Sequence, residues 1–162
     1  MREAFDGLLG ELTKAALHHY GERLVALAVY GSVGRGVPRP DSDVDLLVVA
    51  RSLPLGRLQR VKEFEAVELA LTDSLGEFER KGIFTCISPV FKTPEEVRRG
   101  SPLFLDMTED VQVLYEEHGF LSDYLAGLRQ RLERLGSRRV WRGNMWYWDL
   151  KPDYKPGEDF SI

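Results

Sequence analysis

The sequence predicts an α/β (α+β) domain, a small mixed β-sheet with helices packed against it. Three observations predict this. Two short apolar runs, residues 24–30 and 43–50, are bounded by turn-forming residues and read as buried strands. Longer stretches around them repeat apolar residues every three or four positions, the spacing of an amphipathic helix. The chain has 162 residues, 43% of them hydrophobic and 30% charged, which suits one domain with a buried core and a solvated surface.

Residues 3–19 form the first expected helix. Phe5, Leu8, Leu9, Leu12, Ala15 and Ala16 fall near helical spacing, and Gly21 fits a helix stop. Residues 24–30 are apolar throughout and make the first strand. The second strand, residues 43–50, opens on two aspartates. After a loop containing Pro54, a long helix is expected from Leu58 to about Arg80, because Leu58, Val61, Phe64, Val67, Leu71, Leu75 and Phe78 recur at three or four. Gly82 ends it. Residues 83–91 read as a third strand, where Pro89 indicates an edge position or a bulge. Thr93-Pro94-Glu95-Glu96 joins a capping residue, a proline at the first helical position and a glutamate at the third. Residues 103–109 read as a helix or turn and 111–117 as a short strand. Residues 119–135 read as another amphipathic helix, stopped by Gly136. The tail is aromatic and punctuated by proline and glycine, which suggests a strap packed across the domain. No repeat or linker interrupts the chain. One domain, 1–162, is expected, with the last helix and the tail, about 119–162, as an extension.

The net charge of −4 argues against a surface that is wholly a nucleic-acid patch. Cys86 is the one cysteine, so no internal disulfide forms, and no Cys/His cluster has zinc-ligand spacing. Set between Thr85 and Ile87, it is expected to be small and buried. Acids begin at residue 3, and no apolar run reaches the roughly 18 residues of a membrane span. A soluble, cytoplasmic protein is expected.

The residues that carry chemistry lie between the first two strands. Gly31 and Ser32 end the first; ten residues later come Asp43 and Asp45, two apart at the mouth of the second. Residues two apart in a strand face the same side. Two carboxylates so placed repel, and each raises the pKa of the other. A divalent cation between them removes that cost, and magnesium takes a few carboxylates while keeping waters and phosphates in its shell. Gly31 lets backbone approach a phosphate closely. Ser32 can donate to a phosphate oxygen, and Arg35 lies three residues on.

This Gly-Ser, ten residues, Asp-x-Asp pattern resembles the signature of the minimal nucleotidyltransferase branch of the DNA polymerase beta-like superfamily. "SPVFKTPEE", "LFLDMTEDVQVLYEE" and "WYWDLKPDYKPGE" extend the likeness over most of the chain. The resemblance implies a nucleotidyltransferase fold and transfer of a nucleoside monophosphate from a nucleoside triphosphate, ATP first among them, to an acceptor hydroxyl. Gly31, Ser32 and Arg35 would bind phosphates; Asp43 and Asp45 would bind Mg2+ or Mn2+ and be the catalytic residues. It also implies a third acid on a following strand. Residues 83–91 hold none: Thr85 or Ser88 could fill the slot. Glu65 and Glu68 are expected on the solvated side of the long helix, with Glu68 as an alternative, displaced third ligand.

Two functional classes follow. One is the working transferase. The other is a weak or inactive nucleotide-binding or partner-binding module, such as the antitoxin-like partner of a HEPN-type protein. The basic region from Arg129 to Arg142 reads foremost as a solvated face. Its alternative role is a patch for an RNA acceptor or an acidic protein, with Trp141, Trp146, Tyr147 and Trp148 available for stacking. His18, His19 and His118 read as surface or helix-end residues.

Overall fold

The computed structural model describes residues 1–143 and 145–162. A four-stranded mixed sheet runs in the order β3-β2-β1-β4, with strands β1 (Leu24–Tyr30), β2 (Val44–Ala50), β3 (Ile87–Lys92) and β4 (Gln112–Glu116). β1 pairs antiparallel with β2 and with β4, and β2 pairs parallel with β3. The helices are α1 (Arg2–Tyr20), the single turn α2 (Gly31–Gly34), α3 (Arg57–Leu69), α4 (Thr72–Arg80), α5 (Pro94–Arg98), α6 (Leu103–Met107) and α7 (Phe120–Arg134). A hairpin of β5 (Arg138–Arg142) and β6 (Met145–Asp149) forms a separate two-stranded sheet.

Alternation along the central strands builds a core on each face. Leu27 and Val29 of β1 and Leu46 and Val48 of β2 face α1, α3 and α4, meeting Phe5, Leu12 and Phe64. Ala26, Ala28, Leu47 and Val49 face α5, α6 and α7, meeting Val97, Phe104 and Leu121. Both faces are covered, which is why β1 and β2 read as unbroken apolar runs. α7 sends Leu121, Leu125, Leu128 and Leu132 into the second core. Full burial of each contributes about 1.5–3 kcal/mol. α7 belongs to the layer that covers the sheet, and Trp148 and Leu150 of the segment after it pack against the same core.

Three expectations are corrected. The long helix at 58–80 is two. Leu71 departs from helical geometry at φ −103° while staying buried, and the Thr72 hydroxyl donates to Leu69 O, closing α3. Leu58, at the start of α3, is 85% exposed rather than in the core. The third strand begins only at Ile87, because Phe84 N donates to Pro40 O and the Thr85 hydroxyl to Ser42 O. Those groups hold the loop before β2 instead of a sheet neighbour. Pro89 sits on β3 at the sheet edge, where its missing N–H leaves no ladder bond unmade. Thr93 and Glu96 form the reciprocal cap of α5.

The tail is not a plain strap. It folds into the β5–β6 hairpin, whose inner side lies against α6. Trp146 and Trp148 both donate their indole N–H to Asp106 Oδ1, each at 2.8 Å, and Arg139 pairs with Asp110. Among the described residues no helix is long and apolar enough to cross a membrane.

Candidate active site

The register of β1 and β2 joins the two halves of the sequence motif. Tyr30, the last residue of β1, lies opposite Asp45. The next residue, Gly31, therefore meets the Asp45 side chain. A Cβ on Gly31 would overlap Asp45 Oδ2 and stand 3.2 Å from its Cγ. Gly31 also holds φ +67°, a left-handed conformation that costs other residues strain. The conformation favours glycine, and any side chain here would also have to displace the Asp45 carboxylate. Gly34 closes the same turn, and a Cβ there would lie 2.6 Å from Val29 O. The motif's fixed spacing is thus the length of loop needed to bring β2 back beside β1 with Asp45 against Gly31.

The loop between them is held by a residue the sequence reading passed over. Ser42 is 6% exposed. Its hydroxyl accepts from Arg39 N at 2.9 Å and from the Ser32 hydroxyl at 3.0 Å. Val37 N donates to Ser32 O at 3.0 Å. Ser42 so ties the Gly-Ser turn to the aspartate pair. The first amides of the α2 turn have no acceptor within the turn itself, as at any helix start.

Asp43 is exposed and Asp45 half-buried. Burial pushes the Asp45 carboxyl above the ordinary carboxylate range, the Asp43 charge adds to the rise, and Arg35 opposes it. A cation placed by the pair would offset both raising causes. The residue beside Asp45 on β3 is Ser88, so the slot expected for a third acid holds a hydroxyl. Glu68 is half-buried on α3, its carboxyl raised by burial and by Glu65. Among the described residues no three His, Cys, Asp or Glu side chains gather to hold a metal, and the charges of Glu68, Asp43 and Asp45 all act on the Cys86 thiol.

Cys86 overturns its expected burial. It is exposed, and its thiol lies 3.1 Å from Asp43 Oδ1. Hydrogen bonding to that carboxylate, then burial, push the thiol up to about 11. Replacing Asp43 by asparagine removes the main cause, so the thiolate fraction at pH 8 rises. Alkylation of Cys86 by iodoacetamide is expected to speed up on the order of tenfold in Asp43→Asn. An unchanged alkylation rate would mean the two groups are apart in solution.

A cavity of about 310 Å³ opens beside Asp45. Ser32, Arg35 and Asp45 line it, together with Asp106, Asp110 and Trp146, none of these last three expected at the motif. Arg35 reaches across: its guanidinium is 3.7 Å from Asp110 Oδ2 and 5.5 Å from the centre of the Trp146 ring. Asp106 and Asp110 arrive here because α6 precedes β4, which pairs with β1 on the side away from β2. The expected solvated face from Arg129 to Arg142 holds for Arg129, Arg134, Arg138 and Arg142, which are exposed. Arg139 departs from it, being turned in to Asp110. The indole N–H groups of Trp146 and Trp148 are committed to Asp106.

Residues 10–140 match the profile of the family described as "nucleotidyltransferase domain". The chain is 30% identical over 133 residues to MJ1305 of Methanocaldococcus jannaschii, a protein provisionally named a protein adenylyltransferase; the match spans 80% of this chain and 84% of that one. Two solved structures share the fold. A toxin–antitoxin crystal structure with AMP-PNP superposes with a TM-score of 0.51 at 16% identity, over 78% of this chain and 88% of that one. A toxin–antitoxin structure of a MntA mutant gives 0.51 at 14% identity, with the same shares covered.

Proposed function

The chain belongs to the nucleotidyltransferase domain family, and from that premise we propose that it transfers a nucleoside monophosphate from a nucleoside triphosphate, with ATP as donor, to a hydroxyl on another protein. The observation that carries the reading is the packing of Asp45 against Gly31, which brings a carboxylate into contact with the Gly-Ser turn where both line one cavity. The protein hydroxyl as acceptor rests on the name of the M. jannaschii relative.

Asp43 and Asp45 are the proposed ligands of Mg2+ or Mn2+. They fit such an ion: both offer hard oxygens, they share one strand end, and Asp45 bears a desolvation cost that a cation would offset. A bound ion would supply charge stabilisation at the α-phosphate and at the departing pyrophosphate. The chain's own groups do the rest. The turn at Gly31 and Ser32 seats phosphate oxygens, and the Ser32 hydroxyl exchanges Ser42 for one of them. Arg35 adds a cation on the same side. The acceptor hydroxyl gives its proton to solvent water, its oxygen forms a bond to the α-phosphorus as the bond to the bridging oxygen breaks, and pyrophosphate leaves.

The partner-binding reading has one observation in its favour, the hydroxyl of Ser88 at the slot beside Asp45. Extract or a candidate HEPN-type partner incubated with the protein and labelled ATP separates the two. Transfer predicts label on a protein from α-labelled ATP and none from γ-labelled ATP, with Mg2+ required. Label from neither would favour the module without turnover.

A further inference from the structure

We infer that Trp146 is the platform on which the nucleobase of the triphosphate stacks, making the β5–β6 hairpin a wall of the nucleotide site. The inference rests on the proposed phosphate site at Gly31 and Ser32. Trp146 lines the same 310 Å³ cavity as Gly31, Ser32, Arg35 and Asp45. A triphosphate seated at Gly31 and Ser32 leaves its base to the remaining lining of the cavity, where a flat apolar surface rewards it.

The ring is fixed for such a role. Its N–H donates to Asp106 Oδ1 at 2.8 Å, and the Trp148 N–H reaches the same oxygen at 2.8 Å. The polar edge of Trp146 is therefore satisfied from behind, and a base reaches the ring by taking the place of a guanidinium that now stands over it. Arg35 lies 5.5 Å and Arg139 5.3 Å from the ring centre, both within cation–π range. Arg139 is itself anchored on Asp110. Trp141, 55% exposed, continues the aromatic surface outward with its ring 5.0 Å from that of Trp146. Tyr30 is the other aromatic residue of the cavity, but it is the register partner of Asp45 and so stands among the phosphate-side groups. Arg35 spans the two halves, beside the Asp45 charge at one end and the indole at the other.

Stacking reads ring area rather than base edges, so the platform favours purines over pyrimidines and any nucleotide over bare polyphosphate. The test is calorimetric titration of the full chain, with Mg2+, by ATP and by inorganic tripolyphosphate. The proteins are wild type, Trp146→Leu and Trp146→Phe, each checked by thermal unfolding. Wild type is expected to bind ATP more tightly than tripolyphosphate. Trp146→Leu is expected to lose about 10- to 100-fold for ATP while tripolyphosphate stays within about twofold, and Trp146→Phe to keep most of the ATP affinity. Equal losses for both ligands in Trp146→Leu would overturn the platform, since the indole would then only hold the site together. So would equal binding of ATP and tripolyphosphate by wild type. If wild type binds neither ligand, the phosphate site falls, and the platform falls with it.

Discussion

Gly31→Ala is expected to lower nucleotidyl transfer by at least about 100-fold, the scale on which a displacement near 1 Å of a catalytic group acts. The methyl meets the Asp45 side chain. It would overlap Asp45 Oδ2, so either the carboxylate or the turn must move. The backbone adds a second cost, because alanine at φ +67° carries roughly 1–2 kcal/mol of strain. For a chain of this size each kcal/mol lowers Tm by about 2–4 °C. Steady-state transfer from α-labelled ATP and a thermal melt check both parts. Full activity in a folded Gly31→Ala protein would show that Asp45 does not work from its place against the turn. Gly34→Ala tests a different contact: its Cβ would press on Val29 O, which belongs to β1 and cannot swing aside as a side chain can.

Asp45→Asn is expected to separate activity from stability. Transfer should fall by about 100- to 1,000-fold, the size of losing one charge-stabilising group at a reacting phosphate. The metal-free protein should melt higher, not lower. In the fold, burial and Asp43 hold the Asp45 carboxyl above its ordinary range. The folded chain therefore keeps a proton at pH values where the unfolded chain has already lost it. Stability from this group is whole below the unfolded pKa, near 3.9, and is lost as pH rises through the higher folded value. At pH 7 the wild-type protein carries that cost and the asparagine variant does not. Added Mg2+ should raise the Tm of wild type more at pH 7 than at pH 4.5, and should leave Asp45→Asn nearly unchanged. A lower Tm for metal-free Asp45→Asn would mean the carboxylate is satisfied by the protein alone.

How far the sequence could be read depended on distance along the chain. Gly31, Ser32, Asp43 and Asp45 were legible because a short loop fixes their spacing, and the strands flanking that loop announce themselves by unbroken apolar residues. The β3 edge position followed from Pro89 and the α5 cap from Thr93 and Glu96. What could not be read arrives from elsewhere in space. Asp106 and Asp110 join the cavity because β4 pairs with β1 across the sheet from β2, and no local pattern encodes that neighbour. Ser42 carries no signal of its own in the sequence, and only its hydrogen bonds with Ser32 and Arg39 show that it joins the turn to the aspartates. Cys86 was misjudged by a general preference for buried thiols. Its strand begins one residue later, which leaves it beside Asp43 at the open end of the sheet. The break between α3 and α4 escaped the helical count because Val67 before the bend, Leu71 at it and Phe78 after it all stay in the core.

The central claim is that the Gly31–Ser32 turn and the Asp43–Asp45 pair form one metal-dependent nucleotide site. Calorimetric titration of ATP into the protein, with and without Mg2+ and beside the Asp43→Asn/Asp45→Asn double variant, addresses it most directly. Saturable binding that needs both the metal and the two carboxylates is the predicted result. Absence of binding by folded wild-type protein with Mg2+ or Mn2+, or equal binding by the double variant, would contradict it.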